Sequence, residues 1–355
     1  MRRHSGSVPK TAARVILLPG PERLEDRAVP ATFTVTNLGD APVLGAGDAP
    51  GTLRQAVFDA NVAPGADVIV FQAGLTGTIT LTDGELFVLD SVHVAGPGAD
   101  LVTLSGGDAT RLFNVENTGG TIGVTISGLT LTRGAVVGIG GAVRNFDENL
   151  TLDGVVISAS KASATSTFTA GGGVASEGGT LTVRNSVVTG NRAEVLGEFA
   201  TGGHGGGIFA GGDTTLTVEG STVSGNLASE DGGGLFAGTG ATATVRGSTI
   251  SGNTAGDDGG GAAAAAGTTL HVRDSTLSGN RAGTAGFGSG GGAHAVGRSL
   301  TVENSTVSGN SATDSGGGIF SAAGTLTLRN STVAFNQVTA GGTGGGGVAV
   351  GGGAA

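Results

Sequence analysis

Carboxylates recur in this chain just ahead of glycine runs. Glu230 and Asp231 are followed 27 residues later by Asp257 and Asp258, then by Asp314, and His204 stands 27 residues before Asp231. If that interval is one turn of a coil, neighbouring carboxylates stack about 4.8 Å apart. Oxygen ligands at such a spacing can hold a hard cation such as Ca²⁺, which makes Glu230, Asp231, Asp257 and Asp258 the candidate metal ligands, with no metal assigned. A pair about 5 Å apart would also suit a retaining glycosidase. The favoured reading of these acids is solvated turn residues just before a glycine run. Phe168, Phe199 and Phe287 each lie in a separate inserted segment, and with His204 they are the ligand-contact candidates: apolar tips for a partner, or rings that fold back over a seam. The chain has no cysteine, which excludes thiolate metal sites and disulfides.

The elements that must position these residues are legible as a repeat. Glycine supplies 73 of 355 residues, about three times the usual 7% share, without a collagen period. A Gly-Gly-apolar element recurs as GGAV (140–143), GGGVAS (171–176), GGGIFA (205–210), GGGLFA (232–237), GGGAAA (259–264), GGGAHA (290–295), GGGIFS (316–321) and GGGVAV (345–350). A second element, close to LTVxxSTVSGN, ends at Asn191, Asn226, Asn253, Asn280, Asn310 and Asn336, at intervals of 35, 27, 27, 30 and 26 residues. Ten and eight residues before each Asn stand apolar columns that begin with Leu181 and Val183, and three before stands another, Val188 to Val333. A fourth column, Val174 to Val348, follows the glycines. Alternation of this kind marks short strands with one buried face. None can bury that face alone, so the coils must stack. The expected fold is all-β: a right-handed single-stranded parallel β-helix with three short strands per turn, eight turns in all. The Asn column suits an internal amide ladder, and Arg184, Glu219, Arg246, Arg273, Glu303 and Arg329 suit charge pairing between neighbouring turns. A Thr column, Thr182 to Thr327, is what strand propensity produces.

Insertions mark one corner of this coil. From the last glycine of a triplet to the next Asn the count is 18 or 19 residues, whereas from Asn to the following last glycine it is 16, 8, 8, 12, 8 and 11. Length variation gathered on one edge of a solenoid is where binding loops sit. Arg192 and Arg281 are the basic residues assigned to that corner.

The first third departs from the repeat. Gly51 to Asn61 reads as a helix, with Thr52 as N-cap, Gln55 at capping-box spacing, and Leu53, Ala56, Val57 and Ala60 on one face. It is the expected cover for an open coil end, and Arg54 is its polar residue of interest. The expected organisation is a leader or export segment over 1–31, an N-terminal cap with the first coils over 32–120, and repeats over 121–355 without a C-terminal cap, an end prone to self-association. Residues 1–31 hold six basic and three acidic side chains, so from a net charge of −10 the remainder carries −13. A body that acidic is a poor partner for nucleic acid. No run is long and apolar enough for a transmembrane helix.

Three resemblances add to this reading. PGPERLEDRAVPA (Pro19 to Ala31) resembles the short N-terminal element of large exported planctomycete proteins, which implies export. Gly51-Thr52-Leu53-Arg54-Gln55-Ala56, followed by Asn61, Pro64-Gly65 and Asp67 to Phe71, resembles the CSLREA domain, with Thr52 and Gln55 as departures and the Cys absent. It implies a secreted or cell-surface β-helical protein and carries no known catalytic residues. From 140 to 355 the paired elements resemble the repeats of chlamydial polymorphic outer-membrane proteins, which implies a surface-displayed adhesin, though no transporter barrel follows. The expected function is therefore an extracellular or cell-surface structural or adhesin-like protein that binds a polysaccharide or protein through the variable corner. The alternative is a pectin-lyase-like polysaccharide lyase or glycoside hydrolase. Gly203-His204-Gly205 and Asp257-Asp258 are similar to the GHG and DD motifs of polygalacturonases, but in the opposite order and with no Arg-Ile-Lys. The chain also lacks Trp and Tyr, the flat amphipathic rings that sugar sites favour. No catalytic residue and no bound cofactor is therefore assigned.

Overall fold

The computed structural model describes residues 29–351 apart from 166–167, 198–200, 323, 340 and 343. The expected leader therefore lies almost wholly outside the described residues, as does Phe199.

The chain coils into a parallel β-solenoid of about ten turns. Its strands form three long parallel sheets of 11, 10 and 10 strands. In one representative turn, Val174–Glu177 lies in the third sheet, Thr180–Arg184 in the first and Val187–Thr189 in the second. Ten turns rather than eight arise because coiling begins at Thr32–Val35, which pairs with Asp67–Phe71 and so opens the first sheet. That stretch needs only alternating apolar residues, not the repeat consensus. A fourth short strand, such as Arg192–Val195, follows the Asn in several turns and builds a five-stranded sheet at the variable corner. Its inward residues Ala162, Ala193, Ala228 and Ala255 are buried, small enough to let this corner lie close to the glycine triplets.

The apolar columns fill one continuous core, with Leu181, Leu216, Ala243, Leu270 and Leu300 all buried. In the last turn the cover thins: Leu326, Val333 and Val348 are only partly buried and Leu328 is 40% exposed. Between the second sheet and the corner, Asn191, Asn226, Asn253, Asn280, Asn310 and Asn336 form the ladder, each Nδ2 donating to the next Oδ1 at 2.9–3.0 Å. Between the first and second sheets, Ser186, Ser221, Ser248, Ser275, Ser305 and Ser331 form a serine ladder, each backbone N–H donating to the next Oγ at 3.1–3.2 Å.

Each glycine of a triplet has its own reason. Gly232 is left-handed (φ 69°). A Cβ at Gly233 would sit 2.4 Å from the Thr254 carbonyl oxygen, and one at Gly234 would sit 2.5 Å from the Gly261 oxygen. The coil corner closes only where side chains are absent.

The helix spans Leu53–Val62, with the Gln55 N–H donating to Thr52 Oγ1 at 3.1 Å. Gln55 does not close a capping box; its Oε1 accepts from Ala49 N–H at 3.0 Å. Leu53, Ala56, Val57 and Ala60 pack onto the first coils. Arg54 is a clamp: it pairs bidentately with the buried carboxylate of Asp40 and donates to the carbonyls of Gly84 and Glu85.

Candidate functional site

The corner that receives the insertions is built from the residue just before each glycine triplet. His204, Asp231, Asp258 and Ser289 occupy this position in successive turns, and the first three each accept from the backbone of the next. Asp231 N–H donates to His204 Nδ1 at 3.3 Å, Asp258 N–H to Asp231 Oδ1 at 3.0 Å, and Ser289 N–H to Asp258 Oδ1 at 2.7 Å. The acids at this position are thus rungs of a further ladder. Glu230 and Asp257, one residue earlier, face outward beside it.

The electrostatics follow from burial. Asp231 is pushed up to about 7, first by loss of solvent and then by the neighbouring carboxylates Asp258, Asp257 and Glu230, against the hydrogen bond from Asp258. Burial also raises Glu230 and Asp257, helped by Asp257 and Asp258 respectively. His204 is lowered to about 4 by burial, and the N–H of Asp231 occupies its Nδ1 as acceptor. The neutral tautomer then points Nε2–H at Glu230, 3.3 Å away. His294 Nε2 lies 3.3 Å from Asp258 Oδ2, and burial lowers it more than that carboxylate raises it.

Along the outer face of the third sheet runs a column of rings that the apolar columns of the sequence do not include. Phe209 and Phe236 are stacked at 5.9 Å with 2° between planes, His204 stacks on Phe236 at 4.4 Å, and His294 on Phe320 at 5.2 Å. Their faces are turned to each other rather than to solvent, so they are not platforms for a sugar ring. The position directly after the apolar residue of each GGG element, reading Phe209, Phe236, Ala263, His294, Phe320, was the available signal.

The inserted segments separate into two kinds. Phe168 begins a short strand, Phe168–Ala170, that pairs with Thr201–His204, and its ring packs on Phe209 at 5.8 Å and near His204 at 6.1 Å. It lies against the rod while remaining 44% exposed. Phe287 projects: it is 87% exposed between Gly286 and Gly288. Its loop is pinned to the acidic turn by Gly283 N–H donating to the Asp257 carbonyl at 2.7 Å and by the Ser289 bond to Asp258. The corner thus brings together His204, Glu230, Asp231, Asp257, Asp258 and the Phe287 loop.

Among the described residues, no group of three or more His, Asp or Glu side chains is placed to hold a metal ion. The carboxylates of Asp231 and Asp258 turn toward backbone N–H groups instead of a shared centre. The salt bridges among the described residues bring no Lys or Arg to Glu230, Asp231, Asp257 or Asp258. Arg192 pairs with Glu194, as does Lys161. A separate cleft of about 590 Å³ lies toward the helix end and is lined in part by Asp83, Glu85, Asp108, Arg111 and Lys161. Arg111 is already committed to Glu85 and to the carbonyls of Ile139 and Gly140. Its residues belong to the non-repeating first third or to single turns, so no column announced it.

The model of the right handed beta helix region family matches residues 82–297 and 173–355. No curated protein sequence matches the chain. Several solved structures are similar at low identity, among them the following three. The A-module of the Azotobacter vinelandii mannuronan C-5 epimerase AlgE4 is 14% identical, with 84% of this chain and 94% of that chain covered and a TM-score of 0.44. Pectate lyase Pel9A is 15% identical, with 85% and 78% covered and a TM-score of 0.46. PfbA, a surface adhesin of Streptococcus pneumoniae, is 12% identical, with 86% and 92% covered and a TM-score of 0.40.

Proposed function

Because the chain belongs to the right-handed β-helix family, we propose that it works as a rigid extracellular or cell-surface rod that binds a partner through its inserted corner without cleaving it. The observation that carries this reading is Phe287, held 87% exposed on a glycine-flanked tip beside carboxylates that serve as backbone acceptors. Exposing a whole phenyl ring forfeits on the order of 2 kcal/mol of burial, a cost that contact with a partner recovers. Export is supported by the resemblance of Pro19 to Ala31 to planctomycete leader elements. In this reading residues 1–31 direct export, 32–120 form a CSLREA-like cap with the first coils, and 121–355 display the repeats.

A cleaving enzyme would need a carboxylate free to move a proton and a cation to steady developing negative charge. At this corner Asp231 and Asp258 hold coils together, Glu230 and Asp257 face outward, and among the described residues no Lys or Arg is paired with any of the four. The test is retention of the labelled protein on intact bacterial cells and on immobilised polygalacturonate, alginate and xylan, compared with Phe287→Ala. Retention reduced by Phe287→Ala supports the reading. Equal retention of both proteins on every surface would remove the corner as the binding site.

A further inference from the structure

The cleft near the helix end takes its shape from three successive turns. Residues 83–87 line one side, Ala135–Val137 the other, and residues 108–111 lie between them. Leu86, Phe113 and Val143 stack in register in the third sheet, so the two sides stand two rungs, about 9.6 Å, apart. The turn between them is cut short. It crosses the corner in seven residues, Gly106 to Leu112, where the next turn uses ten, Arg133 to Ala142. Gly107 and Asp108 are both left-handed (φ 60°), and the N–H groups of Ala109 and Thr110 fold onto the Gly106 carbonyl at 3.0 and 3.2 Å. A tight turn thus stands where the next strand of the corner sheet would run, and the lane beside Ala135–Val137 stays open as a cleft of about 590 Å³, a usual size for a ligand site.

Ala135–Val137 is the end strand of the five-stranded sheet and pairs with Lys161–Ala164. Lys161 N–H donates to the Gly134 carbonyl at 2.7 Å and Gly138 N–H to the Ser163 carbonyl at 3.0 Å. Successive residues of a strand direct their backbone groups to opposite edges, so the Ala135 carbonyl and both polar groups of Val137 face away from Lys161–Ala164. Ala135 N–H reaches the Thr110 carbonyl at 3.0 Å, and the other three groups have no backbone partner among the described residues. Exposed edges are normally blunted by charge or covered. This one carries no charge, and Val137 is 76% exposed.

We propose that the open lane receives an extended peptide segment of a partner protein, added as a further strand on Ala135–Val137. A peptide backbone repeats donor and acceptor at the interval this edge presents, and such pairing supplies affinity while the flanking side chains select the sequence. Phe87, 50% exposed, and Val137 offer apolar contact on the two sides, which suits β-branched residues at alternate positions. Most charges at the cleft are committed: Arg111 to Glu85, Arg133 to Asp108 and Lys161 to Glu194. Asp83 is exposed and has no salt bridge among the described residues, so the segment carries a Lys or Arg to meet it. The site is distinct from the Phe287 tip, whose insertion follows Arg281, one rung beyond the far strand of the same sheet.

The test is titration of the full chain with a fluorescent Arg-Val-Thr-Val-Thr-Val peptide, read by polarisation, beside the same peptide N-methylated throughout, which keeps the side chains and removes the backbone donors. Val137→Pro deletes the outward N–H and leaves the bonds to Lys161–Ala164 in place, since an edge strand tolerates proline. The expected result is saturable binding of the unmethylated peptide alone, about tenfold weaker for Val137→Pro and about 2–5-fold weaker for Asp83→Asn. On the wild-type chain, bound peptide is expected to slow amide exchange at Val137. Equal binding of the two peptides, binding of neither, or unchanged exchange at Val137 under saturating peptide overturns the proposal. So does undiminished binding by a Val137→Pro chain shown to be folded by its thermal melt.

Discussion

The amide ladder makes the sharpest quantitative prediction, and Asn253→Ala is the perturbation to make. Asn253 Oδ1 accepts from the backbone N–H and the Nδ2 of Asn226, both at 3.0 Å, while its own Nδ2 donates to Asn280 Oδ1 at 3.0 Å and to the Val223 carbonyl at 2.9 Å. Alanine removes four buried hydrogen bonds and leaves the Asn226 N–H without a partner. At about 1 kcal/mol per bond, with about 1–3 kcal/mol for an orphaned buried donor, the expected loss is about 5–7 kcal/mol. Asn336→Ala is the internal comparison. It forfeits three bonds, to Asn310 N–H, Asn310 Nδ2 and the Val307 carbonyl, in a turn that is only partly buried, so about half the loss is expected. Stacked repeats open locally before they unfold globally, so the assay is native-state amide exchange across residues 223–280 alongside urea unfolding. A loss below about 1 kcal/mol at Asn253, or equal losses at the two positions, would refute the ladder as a main source of cohesion.

Further outcomes follow from the same geometry. Asp231, raised to about 7, stabilises the fold fully below its unfolded value of 3.8 and loses that contribution as pH rises through 7. His204, lowered to about 4, contributes above 6.5 and loses its contribution as pH falls through 4. Between about pH 4 and 6.5 the two offset each other, each state holding one proton, so Asp231→Asn should uncover a rise in melting temperature across that window that Asp231→Asn with His204→Gln abolishes. Gly233→Ala drives a Cβ to 2.4 Å from the Thr254 oxygen and should destabilise by about 3 kcal/mol in urea unfolding, whereas Phe287→Ala should shift stability by less than about 0.5 kcal/mol. The last turn leaves Leu328 at 40% and Val350 at 70% exposure. The 355-residue chain should therefore self-associate in sedimentation as concentration rises, and Leu328→Glu should suppress it.

The core was legible because a parallel coil stacks each residue on its counterpart one turn away. Leu181, Leu216 and Leu270 declare themselves as a column through residue type and spacing alone, and the Asn column did so for the same reason. The Ser186 to Ser331 column was equally regular, but serine before a strand is also what a plain turn contains, and only the bond to the next turn separates the two. His204, Asp231 and Asp258 were visible as chemistry. Their acceptor role was not, because the donors are backbone groups one turn on and leave no mark in side-chain identity. Phe168 and Phe287 look alike in sequence, each an aromatic in a small-residue insertion. One pairs with a neighbouring strand and returns to the rod; the other sits on a glycine-flanked tip with nothing to fold against.

The central claim is binding at the corner without cleavage, and the most direct measurement is incubation of the purified chain with acidic and neutral polysaccharides, with and without Ca²⁺, scored for new reducing ends and unsaturated products. The account predicts no new chain ends under any condition. New ends that disappear on Asp231→Asn or Asp258→Asn, with the coil still folded by amide exchange, would contradict it and make the ladder acids catalytic.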